Sequence, residues 1–246
     1  MAKQKPSIIK IKGKLGDHTY VSSPTYGDIV RSNRGSIKPA HVNSTLQQNA
    51  DRTSLLNNTA GPIFRALDQH TSKIRHRQLW QQMLGRLRGS NGSTPGELLD
   101  AFVGLELNEK HPYQALFTIE PSIILQTFPK DLHIHYDPGR LHPTFPKAVT
   151  HYRYGILAVF PTESDYYPPA KAKGEKSQDL PISSSELWYT DWISLKQKRT
   201  AYDFQFDIPP DTTDIVLCFL IQAREGLYVI PSAWANRAAI LSVQAI

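Results

Sequence analysis

Between Ile123 and Val243 one texture recurs: short runs of β-branched and aromatic residues, set between Pro, Gly and Asp clusters, with no helical periodicity between them. The runs are Ile123–Phe128, Leu132–Tyr136, His151–Phe160, Leu187–Leu195, Tyr202–Ile208, Ile215–Gln222, Leu227–Ile230 and Ala239–Val243. Strands that follow one another without crossover helices pair antiparallel, so residues 113–246 are expected to form an antiparallel, Ig-like β-sandwich. The run Asp214-Ile215-Val216-Leu217-Cys218-Phe219-Leu220-Ile221 is apolar on both faces, which marks a central strand covered on both sides. The stretch from Phe160 to Glu186, with its four prolines, is too long for a hairpin turn and is read as a loop or contact surface.

Upstream the pattern differs. Residues 8–31 alternate in the manner of short half-buried strands, with turns expected at Gly13–Gly16 and Pro24–Gly27 and a last strand at Asp28–Arg31. A helix is expected from Asn43 or Ser44, burying Leu46, Ala50, Leu55 and Leu56. It is expected to break at Asn57–Pro62, where Gly61 ends one helix and Pro62 starts the next. In that second helix Ile63, Leu67, His70 and Ile74 recur at helical spacing, and Trp80, Met83, Leu84 and Leu87 continue with a shift of phase. Thr94-Pro95-Gly96-Glu97 reads as a capping box opening a short helix. The whole is thus an α+β chain: a basic β-ribbon and helical region over 1–90, a linker with a short helix over 91–112, and the sandwich over 113–246.

Charge divides along the same line. Residues 1–90 hold 15 Lys or Arg against four Asp, whereas residues 91–246 hold 13 basic and 18 acidic side chains. A basic front and a mildly acidic back attract each other within a molecule or between neighbours, and the front can also meet nucleic acid. No run is apolar and long enough for a membrane-spanning helix, and the start lacks the apolar core of a secretory signal. A cytoplasmic location is therefore expected, with export by a non-Sec route or release in a particle left open. The single cysteine, Cys218, excludes an intramolecular disulfide framework, and its apolar setting makes it a packing residue.

The lysine-rich start running into Gly13-Lys14-Leu15-Gly16, the ribbon ending at Val30-Arg31-Ser32, the polar Asn43-to-Arg52 entry to helix and the closing Gly226-Leu227-Tyr228-Val229-Ile230 resemble an uncharacterised bacterial family common in Bacteroidetes. The resemblance implies a Gly-Lys-x-Gly ribbon, a helical middle and a C-terminal sandwich. It implies no activity, cofactor or catalytic residue.

The sharpest local motif is Asp131-Leu132-His133-Ile134-His135-Tyr136-Asp137. On a strand, Asp131, His133, His135 and Asp137 share one face, so His133, His135 and Asp137 are candidate metal ligands for a hydrolase; a polar strand edge accounts for the same pattern. No nucleophile elbow, Walker loop or dinucleotide fingerprint is present, and no cofactor is expected. Trp188-Tyr189 and Trp192 are read as packing residues or as a stacking platform for sugars or bases.

The expected role is non-enzymatic: a structural or adaptor subunit that docks on a protein partner or on its own copies. The docking residues are Lys10, Lys12, Lys14 and Arg31, with strand addition at an open edge. Two alternatives stand beside it. One is nucleic-acid binding through Lys10, Lys12 and Lys14 together with Arg75, Arg77, Arg86 and Arg88 on the second helix, and the other is the metal-dependent hydrolase on His133 and His135.

Overall fold

The computed structural model describes residues 2–3, 13–15, 18–23, 27–32, 44–117, 121–139, 142–145, 149–167, 182–197, 200–230 and 236–245. Two compact units divide the chain, Met1–Asn49 and Ala50–Ile246.

The first unit carries a four-stranded antiparallel sheet of β1 (Ala2–Lys3), β2 (Gly13–Leu15), β3 (His18–Ser23) and β4 (Gly27–Ser32), in the order β1-β4-β3-β2. Gly13, expected in a turn, instead pairs with Tyr20 as the first residue of β2. Its φ of 105° lies in a region that side-chain-bearing residues avoid, so glycine starts this strand rather than ending one. The Ile9–Ile11 alternation lies outside the described residues.

The second unit is built on a sheet with both faces covered. Helix α1 (Ser44–Thr71), which belongs to this unit from Ala50 onward, leads into α2 (Leu79–Gly89), α3 (Pro95–Leu99), a 3-10 turn at Asp100–Phe102 and the short strand β5 (Leu105–Glu106). A second 3-10 turn, Gln114–Leu116, precedes β6 (Ser122–Thr127) and β7 (Asp131–Asp137). Then come β8 (His151–Phe160), α4 (Glu163–Tyr166), β9 (Ser184–Tyr189), β10 (Ile193–Ser194), β11 (Tyr202–Asp207), β12 (Asp214–Glu225), β13 (Tyr228–Val229) and β14 (Arg237–Ala245). The central sheet runs β10-β8-β12-β14-β5, with β9 also on β8 and β13 also on β12; the outer sheet is β11-β7-β6. Every pairing is antiparallel.

Alternation along β8 and β12 feeds two cores. Leu157, Val159, Val216, Cys218 and Leu220 meet Leu56, Ile63, Leu67, Met83, Leu87, Leu98 and Phe102 of the helices. From the opposite face Tyr152, Tyr154, Ile156, Phe160, Leu217 and Phe219 meet Leu132, Ile134, Tyr136, Phe204 and Phe206 of the outer sheet. The first core is largely aliphatic and the second is aromatic: Tyr136 packs edge-on to Tyr154 with centroids 4.9 Å apart, and the Tyr113 and Tyr136 hydroxyls are 2.9 Å apart. A bulge where Leu217 and Cys218 face β14 shifts the register, so that Val243 joins Ala238 and Ile240 on the helix side while Ala239 and Leu241 face the aromatic core. The helices after Asn49 thus belong to the same compact unit as the strands.

The helical boundaries differ from the sequence reading. Helix α1 runs unbroken through Gly61 and Pro62. An interior proline removes one backbone hydrogen bond and costs about 3 kcal/mol. Thr59, Ala60, Gly61, Pro62 and Ile63 are all buried, and packing against the sheet outweighs that loss. The break falls instead at residues 72–78, where the apolar repeat changes phase. It is fixed by His76 N–H donating to Leu107 O (2.8 Å) and the Asn108 side-chain amide donating to Ile74 O (3.2 Å). Leu46 and Ala50, expected on a buried face, are exposed. The capping box forms as expected: Thr94 accepts from Glu97 N–H while the Glu97 carboxylate accepts from Ser93 and Thr94, which holds its pKa below the usual range. Among the described residues no helix is long and apolar enough to cross a membrane.

Candidate interaction surface

The outer sheet buries one face and presents the other. Leu132, Ile134 and Tyr136 alternate inward on β7 because they complete the aromatic core, so Asp131, His133, His135 and Asp137 point away from it. Strand register sets their neighbours. His135 lies between Ile124 of β6 and Asp203 of β11, His133 between Gln126 and Gln205, and Asp131 opposite Asp207. Ile124, Gln126, His133, His135, Asp203 and Gln205 line an open groove. The three strands carry Asp131, Asp137, Asp203 and Asp207 and no Lys or Arg, so this face is acidic.

His133 and His135 therefore share a face, as strand spacing requires, but their carboxylate neighbour is not the one read from the motif. His135 Nδ1 lies 2.7 Å from Asp203 Oδ1, whereas Asp137 Oδ1 accepts from Gly139 N–H at 2.8 Å. His133 packs edge-on against Phe128. Among the described residues no group of three or more His, Cys, Asp or Glu is placed to hold a metal. Asp203 comes from β11, 68 residues beyond His135, and only the pairing of β11 with β7 brings it there.

Among the described residues β6 is the outermost strand at one margin of this face. Its sequence Ser-Ile-Ile-Leu-Gln-Thr contains no charge and no proline, and Ile124 is 53% exposed. Long uncharged edges are what most sheets guard with lysine or proline, because the open row of N–H and C=O groups accepts a further strand. By contrast β1 and β2, the outermost strands of the N-terminal sheet, are only two and three residues long.

Of the residues expected to dock, Lys14 lies on the outermost strand β2 and Arg31 on β4, while Lys10 and Lys12 lie outside the described residues. The arginines of the helical region have separate settings. Arg86 donates to Val103 O (2.8 Å) and Gly104 O (3.0 Å), closing the 3-10 turn, and Arg75 pairs with Asp68 and sits over the Phe64 ring. Arg77 and Arg88 are exposed.

The unit boundary sharpens the charge division. Residues 1–49 hold eight Lys or Arg against Asp17 and Asp28, so the entire formal charge of +6 resides there and residues 50–246 are balanced. Cys218 is fully buried and its thiol pKa is raised by burial, so it behaves as an apolar side chain. Trp188 and Tyr189 face opposite sides of β9: Trp188 is half exposed, with Nε1 donating to Glu186 at 2.8 Å, and Tyr189 lies across β8. No protein-family model matches the chain, and no curated protein sequence matches it.

Proposed function

We propose that this protein is a non-enzymatic structural or adaptor subunit that docks into a larger assembly through its basic N-terminal unit, with strand addition at an open sheet edge. The observation that carries this reading is the segregation of charge. All the excess positive charge lies within Met1–Asn49, and the outer sheet of the second unit offers four aspartates without a cation on its strands. Opposite patches on copies of one chain steer association and fix its orientation. In this reading the two antiparallel sheets act as an Ig-like sandwich, β6 is the acceptor edge, and Lys10, Lys12, Lys14 and Arg31 face the aspartates of the neighbour. A heterologous contact of this kind propagates into rings or filaments rather than stopping at a dimer. The absence of charge along β6 supports the acceptor role, since an edge with nothing to hide is normally blunted.

Light scattering on a size-exclusion column at low and high salt tests the proposal. Species larger than one chain are expected at low salt, shrinking at high salt as exposed charges are screened within about 10 Å at 0.1 M. Ile124→Lys on β6 is expected to reduce the assembly at both salts. A monodisperse monomer at both salts, with no partner retained in a pulldown, refutes the reading.

A further inference from the structure

At the end of the central sheet not covered by the helical core, β8 and β12 carry His151, Arg153, Gln222 and Arg224 on the face that further along holds Leu157, Val159, Cys218 and Leu220. Register places Arg153 opposite Gln222, and His151 opposite Arg224. Two aromatic rings lie over the arginines. The Arg153 guanidinium carbon is 3.9 Å from the centroid of Tyr189 and 4.7 Å from that of Trp192, and the Arg224 carbon is 4.6 Å from Trp192. The two guanidinium groups are thus no farther apart than the sum of their distances to that one indole.

The arrangement is held in place independently of any ligand. Gly155 leaves the space in which Tyr189 lies: a Cβ at that position would fall 2.5 Å from Tyr189 Cε1. Thr190 pins the turn that carries Trp192, its N–H donating to Tyr154 O (2.9 Å) and its hydroxyl accepting from Tyr154 N–H (3.1 Å). Arg153 spends Nε and one Nη on Gln222 Oε1, at 3.1 and 2.8 Å. Arg224 Nε is buried without a hydrogen-bond partner, and among the described residues no carboxylate pairs with either guanidinium. His151 Nδ1 lies 3.0 Å from Thr150 Oγ1.

Two like charges set over one indole and partly withdrawn from water are unfavourable without an anion. Consistent with this, burial and the neighbouring Arg224 both lower the Arg153 pKa. We propose that Arg153 and Arg224, roofed by Tyr189 and Trp192, form a binding site for a phosphate group. A phosphate monoester is close to dianionic at neutral pH and offers three acceptor oxygens, which matches two planar forks with donors to spare; a carboxylate brings a single charge. The adjoining indole favours a phosphate borne on a flat ring. This site is independent of the docking surfaces proposed above.

Titration calorimetry on the full chain at pH 7.5 in low-chloride buffer, with inorganic phosphate, phenyl phosphate and benzoate as separate probes, tests it. Saturable binding of phenyl phosphate is expected, tighter than that of inorganic phosphate and of benzoate. Arg153→Gln and Arg224→Gln are each expected to weaken it at least about tenfold, the worth of one charge-assisted hydrogen bond, with melting temperatures read alongside to verify folding. Arg224→Lys, which keeps the charge and loses the fork, is expected to fall between. Inorganic phosphate binding as tightly as phenyl phosphate would remove the ring from the site and leave the anion assignment. Benzoate binding as tightly as phenyl phosphate would overturn the phosphate assignment. No saturation by any probe in the wild-type chain, or affinity unchanged in both glutamine variants, would overturn the site altogether.

Discussion

Replacing Gly155 by alanine isolates one close approach with a sign that can be worked out beforehand. The backbone at Gly155 does not lie in the left-handed region, so alanine is conformationally allowed there. On that count alone the change would stabilise the fold by about 0.4–1 kcal/mol, because glycine has more freedom to lose from the unfolded chain. Sterics oppose it: the new methyl carbon would sit 2.5 Å from Tyr189 Cε1 and 2.7 Å from Cδ1. Tyr189 is a half-buried ring on β9, stacked against Arg153, and it has to move or push the strands apart. Overpacking of this kind costs about 1–3 kcal/mol, and loss of the cation–π contact adds about 0.5–1 kcal/mol. The net expectation for Gly155→Ala is a loss of roughly 1–3 kcal/mol, or about 2–12 °C in melting temperature for a domain of this size. The decisive measurement is the same substitution made in a Tyr189→Ala background, followed by urea denaturation. With the ring gone only the milder approach to Trp188 O, 3.3 Å, remains, so most of the loss should disappear in that background. Equal destabilisation in both would show that Tyr189 is not what the glycine accommodates.

Three further outcomes are expected. Tyr166 donates to Asp214 Oδ2 at 3.0 Å in a buried setting, so Tyr166→Phe should leave that carboxylate, among the described residues, with Thr213 as its remaining side-chain partner and cost about 1–3 kcal/mol in urea unfolding. Burial raises the Glu106 pKa despite the N–H groups of Tyr113 and Gln114, so folded Glu106 binds its proton more tightly than the unfolded chain does. Its contribution to stability is then full below the unfolded value near 4.5 and lost as pH rises through the higher folded value; Glu106→Gln should remove that slope from the pH profile of the urea midpoint. Cys218, enclosed on a central strand, should react with a thiol reagent only at the rate of global unfolding, and rapid labelling of the native chain would contradict its place in the core.

What the sequence disclosed was whatever depends on near neighbours. The uninterrupted apolar stretch at Asp214–Ile221 is read directly as a strand covered on both faces, and β12 is that strand. Thr94 and Glu97 announce their capping box because three residues separate them. Gly61-Pro62 is a strong local punctuation, yet the helix runs through it, because the tertiary burial of Thr59–Ile63 overrides it. The change of phase between Ile74 and Trp80 was the better signal. His133 and His135 could be put on one face by counting, but Asp203 beside them could not, since it arrives through strand pairing. The arginine pair was invisible for the same reason. Arg153 and Arg224 are 71 positions apart, and the aromatic rings above them come from a third stretch of chain.

The difference in filling on the two sides of the central sheet makes its register self-checking. Were β8 to slide by one position against β12, Ile156, Ala158 and Phe160 would be driven among the leucines beneath the helices, and Tyr152 would be turned away from His142, whose Nδ1 lies 3.0 Å from its hydroxyl. A sheet greasy in the same way on both surfaces would tolerate such a slip at little cost. Here the mismatch is felt at both surfaces at once, so misaligned chains are left loosely packed and free to try again.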